Sequence, residues 1–180
     1  MFGAVTPYMP LYLRDIKGLS PSEMGTIFAA GQSAVLFMPV LMTYLADRYR
    51  LVRPLFIVLF TFNVIAMTSL VGAVGFWASL LWISLNRLAT QPQVALGDGL
   101  YFTLQADPKQ PRASFSMVRV WGTIGFIAPS VIFYVGYEVG GGITWIPWVT
   151  ALAGCLGIAN AFRLPMWSAA LPTATRPKVP

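Results

Sequence analysis

From Met24 to Ala46 the chain runs without a charged side chain, long enough for one α-helix to cross a hydrocarbon core, which takes ~20 apolar residues. In water such a segment needs a polar shell around it, and the rest of the chain cannot supply one. The chain is 57% hydrophobic and 10% charged, against roughly 25% charged in a soluble domain. Lipid is therefore the expected solvent for most of its surface.

The other apolar runs divide on the same criterion. Pro54 to about Leu104 is too long for one crossing, and the Gly72-Ala73-Val74-Gly75 break splits it into spans near 54–73 and 76–104. Two further spans, near 117–138 and 143–163, flank Gly140-Gly141-Gly142 and form a helical hairpin. A first segment near 1–13 is apolar but about half the length of a crossing. It reads as a helix whose start is truncated, or as a short interfacial helix. Residues 165–180, with Pro172, Pro177 and Pro180, have no apolar period and read as a cytoplasmic linker or disordered tail. The fold expected is thus an all-α membrane bundle of about six transmembrane helices over residues 1–164, the first one truncated.

The net charge of +6 follows this layout. Arg48, Arg50, Arg53, Lys109, Arg112, Arg119, Arg163, Arg176 and Lys178 fall on one side of the bundle, and only Arg14 and Lys17 on the other. Basic residues concentrate in cytoplasmic loops, so the first side and the carboxyl terminus are expected in the cytoplasm. Trp77, Trp145 and Trp148 fall at outer span ends, and Trp121 and Trp167 at inner ends, as interfacial aromatic belts do. The basic residues cap apolar runs rather than tracking phosphates, so nucleic acid is not an expected partner. Histidine is absent and Cys155 is the only cysteine, so the sequence offers no Ser-His-Asp arrangement, no metal set and no cofactor motif. An enzyme is not expected, and no catalytic residue is assigned.

Arg87 is the most informative residue, because a guanidinium inside a span costs ~2.5 kcal/mol or more and must face the bundle interior or a wet cavity. Gln91 and Asp98 follow it by four and seven residues, so one helix carries all three on a narrow polar stripe, with Pro92 loosening the backbone beside them. Arg87 and Gln91 are the leading substrate-binding candidates. At the cytoplasmic end, Asp98 faces a choice of Arg50, Arg53 or Arg119 as partner. Asp47-Arg48-Tyr49-Arg50-Leu51-Val52-Arg53 forms so short a turn that the spans on either side must be antiparallel neighbours.

Several of these segments resemble the major facilitator superfamily. The loop signature of that family reads Gly, three residues, Asp, Arg or Lys, one residue, Gly, then basic residues. This chain matches it at Asp47-Arg48 but carries Thr43 and Arg50 at the glycine positions. Arg119-Val120-Trp121-Gly122-Thr123-Ile124-Gly125-Phe126-Ile127 resembles the opening of the fifth helix in the branch that holds phenylpropionate permeases and nucleoside:proton symporters. Tyr8-Met9-Pro10-Leu11-Tyr12-Leu13 and Gly18-Leu19-Ser20-Pro21 through Gly25 are similar to its first helix and outer loop.

The resemblance implies the amino-terminal six-helix half of a secondary transporter, multi-pass in a bacterial inner membrane. A second six-helix domain would supply the other wall of the cavity. Its partners would be the lipid bilayer, a small solute and, as a candidate coupling ion, the proton. It places the helices of Tyr8, Tyr12 and Gln32 around the central cavity, and it suggests an ionic gate of Asp47, Arg48, Arg50, Arg53, Asp98 and Arg119. Gly122 and Gly125 offer a groove for close helix approach. The alternative is a membrane scaffold or assembly subunit, in which Arg87 and Asp98 only bond other helices.

Overall fold

The computed structural model describes residues 2–105, 114–140 and 143–164. The expected tail at 165–180 and the loop with Lys109 and Arg112 lie outside them. The described residues form six α-helices: α1 Phe2–Asp15, α2 Pro21–Tyr49, α3 Val52–Gly72, α4 Gly75–Gln105, α5 Phe115–Glu138 and α6 Ile146–Ala161, the last entered through a single 3-10 turn, Ile143–Trp145. Among the described residues there is no strand.

The helix ends follow local chemistry. Ser20 caps α2 by accepting from the Glu23 backbone N–H, while the Glu23 carboxylate accepts from the Ser20 N–H, so two orphan donors are satisfied at once. Ser114 caps α5 singly, its hydroxyl accepting from the Met117 N–H. At the other end of α2, Arg50 takes the left-handed conformation, φ 56 and ψ 37, in which a helix usually places glycine. Arg50 thus adopts, without a glycine, the backbone conformation that such a helix end favours. Gly75, φ +77, makes the tight turn between α3 and α4.

α2, α3, α5 and the run Ile143–Ala161 are long and apolar enough to cross a membrane. α4 is longer than any of these, 31 residues, but Asn86, Arg87, Gln91, Gln93 and Asp98 lower its hydropathy. α4 is the central element, packed between α2 and α3, and α3 packs along α6. α1 leans on α5 and α6, and α5 touches little else.

Lipid tails are as apolar as leucine, so close fit rather than escape from water holds such helices together. That fit is tightest between α3 and α6. A Cβ on Gly154 would lie 2.7 Å from Val64 Cγ2, and one on Gly157 would lie 2.5 Å from the Phe60 ring. At Gly122 and Gly125 nothing comes within 4 Å. The helix approach expected there does not occur among the described residues, because α5 turns that face outward.

Two apolar clusters sit at opposite ends of the bundle. One gathers Met9, Tyr12, Leu13, Leu19, Met67, Leu70 and Ile146 with their neighbours, and the other gathers Ala46, Phe56, Leu59, Leu96 and Ala161. The fully buried Asn63 and the buried Asn86 lie on α3 and α4, and the Asn63 carboxamide and the Asn86 Nδ2 have no partner among the described residues. The prolines divide the helices too. α1, α2, α4 and α5 carry prolines in their interiors, each deleting one backbone hydrogen bond, whereas Pro54 and Pro147 fall in the first turns of α3 and α6.

Candidate functional site

α4 is continuous through Pro92, so Arg87, Gln91 and Asp98 share one side of it. Arg87 lies about 18 Å along the helix from Gly75, near the middle of a crossing. It is half-buried. Its aliphatic stem lies on α2 over Gly31, where a Cβ would come 3.0 Å from Arg87 Cγ. Glycine at that position gives the arginine its seat. No hydrogen bond or ion pair reaches the guanidinium from any described residue. The described acids, Asp15, Glu23, Asp47, Asp98 and Glu138, all stand within the end turns of their helices. Gln91 is half-buried one turn further on, also without a partner among the described residues, while Gln93 donates to the Ala89 carbonyl.

The remaining cavity candidates separate. Tyr8 donates from its hydroxyl to the Ser130 carbonyl at 2.7 Å and packs its ring on Phe133, tying α1 to α5. Tyr12, one turn later, is 2% exposed within the apolar cluster, so it offers no face to a solute in this arrangement. Gln32 is exposed on α2, next to the Gly31 seat.

The ionic cluster expected at the opposite end from Lys17 reduces to one pair. Arg119 donates to Asp98 at 2.7 Å, partly open to solvent, and lies over the Phe115 ring, which stacks with Phe102 and meets Tyr101 at a tilt. Asp47, Arg48 and Arg50 are exposed and form no ion pair among the described residues, and Arg53 rests on the Phe162 ring instead. The first turns of α5 bring Arg119 and Phe115 against α4, while Arg53 is taken up by the Phe162 ring at the end of α6.

Sequence reasoning passed over Lys17. Its ammonium donates to the carbonyls of Val71 and Ala73 at 2.9 and 2.7 Å and lies over the Tyr12 ring. Partial burial there pushes it below the usual lysine range. A cation bonding the last carbonyls of α3 also complements the negative end of that helix dipole. Gly31 was likewise missed; its only sequence signal is the small-residue run Ala29-Ala30-Gly31 preceding Gln32.

The chain is similar to a "Probable 3-phenylpropionic acid transporter" of Escherichia coli K12, 30% identical over 138 residues, which cover 73% of this chain and 34% of that protein. It is also similar to the nucleoside permease NupG of Escherichia coli K12, 28% identical over 120 residues covering 66% and 29%. The chain thus spans about a third of the length of the curated relatives it matches. A crystal structure of nucleoside transporter NupG superposes with a TM-score of 0.80 at 20% identity, over 91% of this chain and 40% of that one. A mutant form gives 0.81 at 21%, over 97% and 43%. The fold is therefore that of a major facilitator bundle. With residues 1–164 matched to the MFS_1 like family, the chain belongs to that family of the major facilitator superfamily and is a multi-pass membrane protein.

Proposed function

We propose that this chain forms one half of a secondary transporter that moves a small anionic solute by alternating access, with Arg87 as the anion-binding group on the cavity wall. One observation carries the reading. A guanidinium near the middle of α4, seated on Gly31, has no carboxylate or carbonyl partner among the described residues, and a charge at that depth is retained where it pairs or faces a wet cavity that a ligand can enter. A solute carboxylate does so with two parallel hydrogen bonds, and Gln91 adds a neutral donor and acceptor beside it. The relative named for 3-phenylpropionic acid moves a molecule of that class. The interior prolines of α1, α2, α4 and α5 leave backbone carbonyls free of their usual intrahelical partners, as in helices that line a cavity.

A second six-helix domain would complete the cavity, and α5 is the face that fits it. α5 packs on α1, presents Trp121, Ile124, Ile132 and Val135 outward, and keeps its Gly122 and Gly125 groove open. Arg48, Arg50, Arg53, Arg119 and Arg163 against Arg14 and Lys17 support a cytoplasmic α2–α3 loop and carboxyl terminus in a bacterial inner membrane. The described acids stand near helix ends, so a proton carrier at mid-depth would belong to the second domain.

The test is uptake of 3-phenylpropionate and of a nucleoside into liposomes, with and without a second six-helix domain, for the wild type and for Arg87→Gln. Carboxylate uptake should fall about 100-fold or more in the variant, as a lost charge-assisted pair predicts, with the amount of inserted helical protein unchanged. Equal uptake by both forms would assign Arg87 to helix packing, and no uptake of any solute by the complete pair would support a scaffold.

A further inference from the structure

The α2–α3 hairpin opens a second site, distinct from the Arg87 wall. α2 crosses α4 and touches α3 only slightly despite the short connection between them, which leaves a cavity of about 250 Å³ between the two helices. α4 forms its floor with Leu85, Leu88 and Ala89, Met38 and Met42 form one wall, and the α3 face from Leu55 to Phe62 forms the other. No polar or charged residue lines it. It exceeds the ~150 Å³ apolar cavity that suffices for benzene, and it runs about 10 Å along α3 at 1.5 Å per residue.

The chemistry changes sharply at one end. Leu55 lies two residues from Arg53, and Met42 lies two turns before the helix end at Tyr49, so the cavity begins beneath the α2–α3 loop. That loop sets Arg48, Arg50 and Arg53 against the single acid Asp47. Arg48 and Arg50 are exposed, with no hydrogen bond or ion pair among the described residues, while Arg53 rests on Phe162. An apolar slot with free guanidinium groups at headgroup level is complementary to an amphiphile bearing an anionic head and a hydrocarbon tail.

We propose that the α2–α3 cleft binds one anionic phospholipid of the surrounding leaflet, an acyl chain lying along α3 against Phe62 and Leu88 and the phosphate engaging Arg48 and Arg50. A second-domain side chain filling the slot is the competing occupant. The lipid is favoured because its anionic phosphate complements the basic loop above the slot as its chain fills the slot, whereas an apolar side chain matches only the slot.

Native mass spectrometry of the full chain, released from bilayers of equal parts phosphatidylglycerol and phosphatidylcholine, tests this. The wild type should retain one phosphatidylglycerol and no phosphatidylcholine. Arg48→Gln and Arg50→Gln should each lower the retained fraction about five-fold, the factor that one basic residue near an anionic surface supplies. Val58→Trp, which fills the slot from its exposed rim, should abolish retention, and Val131→Trp on the outer face of α5 should leave it unchanged. The arginine variants alter exposed side chains, so they keep the test readable if Val58→Trp does not fold. Equal retention of both lipids, insensitivity to the arginines, or loss of the lipid whenever a second six-helix domain is bound would overturn the proposal.

Discussion

The α3–α6 pair and α5 are built on opposite principles, although both are apolar membrane helices. α3 and α6 meet through Gly154 and Gly157 so closely that a single added methyl would strike Phe60 or Val64, and neither has a proline beyond its first turn. α5 carries Pro129 in its interior, leans on α1 and leaves its own small residues, Gly122 and Gly125, uncovered. Small residues permit helices to approach, but only a neighbour on the same face makes use of them. The bundle thus has a stiff back and a limb held by a few polar ties.

That contrast can be broken most strongly at its tightest point. Gly157→Leu should destabilise the folded chain by about 3 kcal/mol or more, because overpacking displaces the Phe60 ring against α3. Gly125→Leu on α5 should change it by less than ~0.5 kcal/mol, and reversible unfolding in mixed micelles reads both. A similar cost for the two variants would mean that α5 is as closely covered as α6.

The polar ties rank below Gly157. Lys17→Met removes two charge-assisted hydrogen bonds to α3 carbonyls and should lower stability by ~1.5–3 kcal/mol. Tyr8→Phe removes the bond to Ser130 and should cost ~0.5–1.5 kcal/mol, with faster amide exchange confined to α5. Asp98→Asn should be the mildest, ~0.2–1 kcal/mol, since its pair with Arg119 is open to solvent. It should also speed exchange in the first turns of α5. Exchange that rises across α3 in Tyr8→Phe or Asp98→Asn would instead place those two ties in the stiff half.

What could be read from the residues depended on whether the cause was carried by side chains. Apolar runs marked the helices because lipid tolerates little else, and Arg87 announced itself as a charge in a span. Asp98 came with three possible arginines, and only packing chose Arg119, since chain order does not say which loop meets which helix. Tyr8 and Tyr12 are the same residue one turn apart, yet one ties helices and the other fills the core. The Lys17 contact was illegible because its acceptors are backbone carbonyls, which every residue has. Gly122 and Gly125 looked like Gly154 and Gly157, and only the course of the neighbouring helices distinguished them.

The glycine beneath Arg87 has a consequence for how such a protein diversifies. Residue 31 sets how far a cation on the next helix protrudes, so exchanging hydrogen for methyl there would push the charge forward by a few tenths of an ångström while leaving the arginine itself in place. Under the role proposed for Arg87, selectivity among solutes of different girth would then be tuned from a residue on another helix.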